Sequence, residues 1–223
     1  MTDDALRLPA ELRDRLAADF QPARMLPPPW RRALIVLPMA LLAVAAAPLV
    51  FEVRADSARL GWVGMWGISA AQFAVGFVML IAALRESVPG RGWSRSGLIT
   101  WLAVPVVAVT AVTFLSWEGS PILVRGRWWV IAGLCFAGSA STALPVVALS
   151  SILASRAYPT RPAVAGALLG AGAGLIADAG WRVFCHFSEP AHVLSAHLAA
   201  VVISAVIGSL IAIRMSTPGT RAR

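Results

Sequence analysis

Six long apolar stretches constrain this chain more strongly than any other feature of its sequence. They cover residues 33–51, 61–84, 98–117, 128–153, 163–184 and 193–213. Each is long enough for an α-helix to cross about 30 Å of hydrocarbon. Because lipid offers the backbone no hydrogen-bond partners, segments of this kind must be helical. The sequence therefore predicts an all-α polytopic membrane protein with six transmembrane helices.

Little of the chain remains for a soluble domain. Hydrophobic residues make up 58% of the 223 residues and charged residues 13%, against about 25% charged residues in a soluble domain. The longest piece outside the stretches, residues 1–32, is too short for a nucleotide-binding or kinase domain. We divide the chain into a cytosolic segment 1–32, a transmembrane domain 33–213 and a cytosolic tail 214–223. This organisation indicates a protein that is not an enzyme.

The connections and charges predict how the helices are arranged. Short connections favour an antiparallel bundle in which consecutive helices are neighbours. The net charge is +8 and all 19 basic residues are arginines, of which 14 are cytoplasmic if the N-terminus is inside. This distribution obeys the positive-inside rule, so it predicts a membrane protein with both termini cytoplasmic and no direct nucleic-acid partner. Acidic residues at the span ends, among them Asp56 and Glu86, are expected to be solvated.

The cytosolic segment begins with a pattern typical of an amphipathic helix over residues 3–20. Its apolar positions recur every four residues, with an acidic residue beside the last of them: Leu8, Leu12, Leu16, Asp19 and Phe20. One helix cannot bury such a face alone, so either a membrane surface or a groove on a protein partner must cover it. Five acidic residues in the segment disfavour an anionic membrane. We therefore take these five positions as candidate partner contacts, followed by a proline-rich spacer.

Thiol and imidazole groups concentrate at the outer end of the fifth stretch. Cys185, His186, His192 and His197 lie within 13 residues, and the predicted topology also places Cys135 towards this side. Thiolates and imidazoles suit zinc, cadmium or copper ions, so we regard Cys185, His186, His192 and His197 as candidate metal ligands. On a regular helix His192 and His197 would point about 140° apart. A metal site therefore requires His192 to belong to a loop.

Two other interpretations of the cysteines stay open. Cys135 and Cys185 could form a disulfide in response to an oxidant, which requires their Cα atoms to be about 4.4–6.8 Å apart. Cys135 lies seven residues into its stretch, roughly 10 Å deep at about 1.5 Å per residue, whereas Cys185 lies near the outer boundary. The third interpretation is that both are ordinary buried thiols.

The fifth stretch also contains candidate structural residues. Asp178 and Arg182 are one helical turn apart, and we expect them to form an ion pair because unpaired charges in a membrane are costly. Gly166, Gly170 and Gly174 recur at a spacing of four, which allows another helix to approach closely. Small residues at the same spacing in the sixth stretch predict that the fifth and sixth helices pair there.

Several features occur together in a fixed order along the chain. They are the segment 16–24 before Leu26 and Pro27, six apolar stretches, Cys135 ten residues ahead of Pro145, and Cys185 followed by His197. In these features the sequence resembles the NrsF family of bacterial inner-membrane anti-sigma factors, which are negative regulators of an extracytoplasmic-function sigma factor. The resemblance covers most of the chain.

The resemblance implies that the cytosolic segment holds a sigma factor at the membrane. It also implies that Cys135 and Cys185 sense metal or oxidative stress on the periplasmic side, and we expect the signal to shift the last three helices relative to one another. An alternative is a small metal-ion transporter or channel lined by Asp178, Arg182, Cys185 and His197, although polar residues in the spans are scarce. A scaffold subunit without a sensing role is a further alternative.

Overall fold

The computed structural model describes residues 9–19, 25–118, 120 and 125–217, and all regular structure in these ranges is helical. Its helices are α1 (Ala10–Asp19), α2 (Pro29–Val50), α3 (Ser57–Glu86), α4 (Arg95–Trp117), α5 (Trp128–Ser155), α6 (Pro162–Phe184) and α7 (Pro190–Ser216). Helices α2 to α7 are long and apolar enough to cross a membrane. Their boundaries agree with the six apolar stretches to within four residues, which confirms the predicted set of helices.

Proline and serine residues define where several helices begin. Pro29, Pro162 and Pro190 each occupy the first turn of a helix, where the missing backbone N–H costs no hydrogen bond. Ser94 precedes α4 and its hydroxyl accepts a hydrogen bond from the Gly97 N–H at 3.2 Å. Because α2 begins at a proline rather than at residue 33, the end of the predicted cytosolic segment forms its first turn.

Helix α6 lies at the centre of the bundle. Of its most apolar window 83% is buried, against 17% to 44% in the other five long helices. It contacts all five of them. Close approach is possible because Gly172 lies against the backbone of Gly76 in α3, and Gly180 lies against the backbone of Val44 in α2. Five helices therefore surround α6 and turn large apolar side chains outwards.

The contact between α6 and α7 follows the glycine spacing seen in the sequence. A Cβ atom at Gly166 or Gly170 would overlap with the backbone of Gly208 or Ser204, and Gly174 faces the same helix. The two backbones are therefore in direct contact over two helical turns. This close packing makes the interface between α6 and α7 rigid.

The prediction that all consecutive helices are neighbours is wrong for α4 and α5. In the described ranges α4 makes its main contacts with α3, α6 and the first turns of α7. The reason is the length of the connection, since ten residues can extend over about 33 Å. Packed helix axes are only about 8–10 Å apart. A connection of this length therefore does not force α4 and α5 into contact.

A buried arginine ties three helices together at the end of the bundle where α2 begins. Arg32 donates hydrogen bonds to the carbonyl oxygens of Leu84, at 3.3 Å, and Leu153. These carbonyls belong to the last turns of α3 and α5. The carbonyl groups of a last turn have no N–H donor within their own helix. A positive charge is also favourable at a helix C-terminus. Arg32 is therefore a structural cap for two helices at this end of the bundle.

Glu86 lies at the same end and is not solvated as expected. Its side chain is buried, and it accepts a hydrogen bond from the Trp93 N–H at 2.6 Å. It also pairs with Arg161 at 2.7 Å. The expectation was wrong because the connection after α3 supplies the Trp93 N–H and the connection before α6 supplies Arg161.

Helix α1 lies within the predicted amphipathic helix. Its described side chains, including Leu12, are all exposed. Leu8 and Phe20 lie outside the described residues, as do the side chains of Leu16 and Asp19. The bundle therefore does not cover the described side chains of α1.

Candidate metal centre

The two cysteines of the chain are in contact. Cys135 lies in the second turn of α5 and Cys185 directly follows α6, and their Sγ atoms are 3.6 Å apart. Both are free thiols and both are buried. Because the sulfurs meet, α6 ends roughly 10 Å short of the end of α5 that begins at Trp128, at about 1.5 Å per residue. The difference in depth inferred from the sequence is thus removed by the offset of the two helices.

The first turns of α7 bring two histidines onto one side of the helix. Residues Val193–Leu198 form a π-helical segment, in which hydrogen bonds connect residues five apart rather than four. His192 precedes this segment and His197 lies in it, so residues that an α-helix would turn away from each other are aligned. Their ring centroids are 5.2 Å apart. His192 therefore does not have to belong to a loop, contrary to the expectation from regular helical geometry.

Four side chains form one compact group, which we call the Cys2His2 cluster: Cys135, Cys185, His192 and His197. Their potential ligand atoms all lie within 4.8 Å of one another. The Nε2 atom of His192 is 3.3 Å from the Sγ atom of Cys185. At most 5% of each residue is exposed. Helix α5, the residue that follows α6 and the first turns of α7 thus contribute thiols and imidazoles to a single buried site.

His186 does not belong to this cluster. Its ring packs against Phe187 with the centroids 4.1 Å apart, and its backbone carbonyl accepts hydrogen bonds from Arg54 and Ser120. The prediction that His186 is a ligand is therefore not supported by its position. Adjacent residues in this extended segment point to different sides. The side chain of Cys185 can therefore face the cluster while that of His186 faces away from it.

Asp178 is bonded to His197 rather than to Arg182. Its Oδ1 atom accepts a hydrogen bond from His197 Nδ1 at 2.6 Å, and its Oδ2 atom accepts one from Gln72 Nε2 at 2.6 Å. Within the described residues, no ion pair joins Asp178 to Arg182. The predicted pair is wrong because α3 and α7 both approach the carboxylate and fill its acceptor positions. Hydrogen bonds therefore connect Gln72 of α3, through Asp178, to His197 of the Cys2His2 cluster.

Arg182 has its own partners one turn further along α6. It donates hydrogen bonds to Ser116 Oγ and to the carbonyl oxygen of Gly64, both at 3.1 Å. Gly64 lies in a second π-helical segment, Val63–Gly67 of α3. A cavity of about 20 Å³ lies between Arg182 and the cluster. It is large enough for about one water molecule.

Arg54 holds the segment that follows Cys185. It is buried in the connection between α2 and α3, and it donates to the His186 carbonyl at 3.1 Å and to Ser188 Oγ at 3.3 Å. It also pairs with Asp56 at 2.6 Å. Burial raises the pKa of Asp56, but the hydrogen bonds and charges of Arg54 and Arg59 lower it further, so that it lies below its ordinary value. Asp56 therefore orients Arg54, which holds the segment after Cys185, and the expectation that Asp56 is solvated was wrong.

A family model described as NrsF, negative regulator of sigma F, matches residues 16–216. The chain belongs to the NrsF family. The matched range contains all six long helices and the whole Cys2His2 cluster, and it confirms the resemblance seen in the sequence. The family name indicates a negative regulator of a sigma factor, and regulators of this kind are in general not enzymes. Comparison with curated proteins and with solved structures returned no match.

The cluster of this NrsF-family chain favours one cysteine as the thiolate. A hydrogen bond from Cys135 lowers the pKa of Cys185, burial opposes this effect, and hydrogen bonds from His192 and His197 lower the pKa further. The net result is a pKa well below that of an ordinary thiol. Thiolates, unlike thiols, ligate metals and attack oxidants. The site can therefore support either of the two sensing chemistries considered from the sequence.

Two residues of the site were missed by sequence reasoning. Gln72 is the only amide side chain in the second apolar stretch, and an isolated polar residue within a membrane span is a signal of function that could have identified it. Arg54 follows the first stretch and resembles any basic residue near a membrane boundary. Only its burial and its contacts with the segment after Cys185 distinguish it.

Proposed function

We propose that this NrsF-family protein is an inner-membrane anti-sigma factor that binds an extracytoplasmic-function sigma factor through its cytosolic N-terminal segment. It releases the sigma factor when Cys135 and Cys185 sense a metal ion or an oxidant on the periplasmic side. The observation that carries the proposal is the family match over residues 16–216. The contact between the two sulfurs supports the sensing role, because it allows one event to change both cysteines.

The exposed surface of α1 supports the partner-binding role. Leu12 is 44% exposed, although leucine side chains are usually buried. The spacing of Leu8, Leu12, Leu16 and Phe20 would place them on one face, with Asp19 at its edge. A sigma factor that covers this face would bury the apolar surface that α1 cannot bury by itself.

Helix α2 provides a physical link between the two ends of the protein. At its first turn Arg32 is bonded to the ends of α3 and α5, next to the spacer that carries α1. Beyond its last turn Arg54 is bonded to the segment after Cys185. A displacement of that segment would therefore act on α2 as well as on the contact between α6 and α7. Regulation requires that the two states differ in affinity both for the signal and for the sigma factor.

Removal of residues 1–24 should abolish sigma-factor binding, because it deletes the proposed contact surface. The measurement is a pull-down of the full chain and the truncated chain from the native host, with bound proteins identified by mass spectrometry. Within the full chain, Leu12→Ala should weaken binding about tenfold, as expected for truncation of an apolar contact worth about 1.4 kcal/mol. Arg13→Ala is the matched control and should bind normally. Retention of a sigma factor by the truncated chain would contradict the proposed contact.

Replacement of both cysteines by serine should leave the sigma factor inhibited during metal or oxidant stress. Serine has nearly the shape of cysteine, but it neither forms a disulfide nor provides a thiolate ligand. The measurement is transcription from a promoter that depends on the sigma factor, before and after exposure to cadmium or to a thiol oxidant. Normal repression without stress shows that the variant is folded and bound to its partner. Induction equal to that of the wild type would refute the sensing role.

A further inference from the structure

The Cys2His2 cluster has the donor set and spacing of a tetrahedral metal site. Zinc bonds to sulfur at about 2.3 Å and to nitrogen at about 2.0–2.1 Å, so a regular tetrahedron of such ligands has edges of about 3.8 Å between sulfurs and about 3.6 Å between sulfur and nitrogen. The sulfurs are 3.6 Å apart and the edge from Cys185 Sγ to His192 Nε2 is 3.3 Å. Two edges are thus close to the spacing that a bound ion requires.

We propose that Cys135, Cys185, His192 and His197 together bind one divalent d¹⁰ cation, Zn²⁺ or Cd²⁺, in a closed tetrahedral site, with Asp178 as a positioning residue for His197. The donors exclude hard cations such as Mg²⁺ and Ca²⁺, which require oxygen ligands. This inference names the class of signal for the sensing role proposed above. Its regulatory meaning rests on that role, whereas the binding itself does not.

Asp178 is placed as an outer-shell partner rather than as a ligand. Metal-bound histidines usually donate their second ring N–H to a carboxylate, which fixes the tautomer and the orientation of the ring. Asp178 Oδ1 accepts from His197 Nδ1 and leaves Nε2 as the nitrogen available to an ion. Gln72 in turn occupies Oδ2 at 2.6 Å. Both carboxylate oxygens are therefore engaged, and the imidazole is held in the orientation that a ligand needs.

The burial of His192 supports coordination by this residue. It is 0% exposed, and its Nε2 atom contacts the Cys185 sulfur. Its Nδ1 atom has no hydrogen-bond partner in the described part of the chain. Burial of a polar ring with so few polar contacts is costly. A bond from Nε2 to a cation would offset this cost.

The charges around the cluster fit a divalent ion. Two thiolates balance a charge of +2, and two neutral imidazoles complete the shell. Outside it, the negative charge of Asp178 is balanced by the positive charge of Arg182, which lies one turn away on α6. The loaded site would therefore carry no net charge, as burial among apolar side chains requires. Those side chains include Trp128, Ile131 and Phe136.

The test is metal binding by the full chain, purified in detergent, reduced and stripped of metal. Co²⁺ is the probe, since tetrahedral coordination and cysteinate ligation give distinct visible and charge-transfer absorption bands, and Zn²⁺ or Cd²⁺ displaces it. We expect one ion per chain. Cys135→Ser, Cys185→Ser, His192→Gln and His197→Gln should each weaken binding more than about 100-fold, beyond the range found for outer-shell changes. His186→Gln is the matched control and should bind like the wild type.

Asp178→Asn tests the positioning role separately. The Asn amide would donate to His197 Nδ1 and place the ring proton on Nε2, which is the wrong tautomer for coordination. Affinity for Co²⁺ should fall about 10- to 100-fold. The absorption from the two cysteinates should persist at saturation, which a collapsed site would not allow. Affinity equal to that of the wild type would show that Asp178 does not position His197.

The metal proposal is overturned if the reduced wild type binds no Co²⁺, or if both histidine variants bind it as tightly as the His186→Gln control. Circular dichroism and size-exclusion chromatography identify any variant that fails to fold. Formation of an intramolecular disulfide in a protein that binds no metal would favour the oxidant as the signal. The pull-down of the sigma factor is independent of these titrations. Failure of metal binding can therefore be distinguished from failure of the anti-sigma role.

Discussion

Replacement of Gly170 by Leu should lower the free energy of unfolding by at least about 3 kcal/mol, the upper end of the range for overpacked cores. Even a Cβ atom at this position would overlap with the backbone of Ser204 in α7. A flexible side chain could move aside, but a helix backbone cannot. Because α6 is the central helix, separation of α6 from α7 would disturb the whole bundle. The measurement is unfolding in mixed micelles of increasing denaturing detergent.

Gly133→Leu is the matched control for this experiment. Gly133 also lies within a long helix, α5, but among the described residues no atom beyond its own stretch of helix lies within 4 Å of the position that its Cβ would occupy. The same substitution there extends into open space and should leave stability almost unchanged. Equal losses of stability in the two variants would show that leucine itself, at any position in a long apolar helix, lowers the free energy of unfolding. The contact between α6 and α7 would then not be the cause.

Replacement of Asp178 by Ala should lower the free energy of unfolding by about 3–5 kcal/mol, the usual consequence of removing one partner from a buried ionic network. The change leaves the Gln72 amide and the His197 ring without their acceptor, and both residues are buried. It also removes the negative charge nearest to Arg182 along the helix. The same unfolding assay measures the effect.

The control for this variant is Asp178→Asn, which keeps the shape of the side chain. Its amide can accept from Gln72 and donate to His197, so both contacts survive with a different imidazole tautomer. We expect a loss of stability below about 1.5 kcal/mol, the net value of a typical hydrogen bond. A similar loss in both variants would show that the charge of Asp178 is decisive and its hydrogen bonds are not. Comparison with the Co²⁺ titrations separates the role of Asp178 in folding from its role in metal binding.

The sequence determined the helical elements of this protein because their causes are local. Apolar stretches of membrane-spanning length predicted six helices whose boundaries agree with the structure to within four residues. The repeat of Gly166, Gly170 and Gly174 indicated a face for close packing, since small residues are required wherever backbones meet. The concentration of Cys185, His192 and His197 between the fifth and sixth stretches indicated the position of a candidate metal or redox site.

Only the tertiary structure decided which of these residues meet. The contact of Cys135 with Cys185 depends on the offset between α5 and α6, and the alignment of His192 with His197 depends on a π-helical segment. Asp178 bonds to α7 instead of to its neighbour on α6 because another helix approaches it. Relative depth, rotation and local departures from α-helical geometry arise from packing between distant segments. The spacing of residues along a single helix therefore cannot predict these three features.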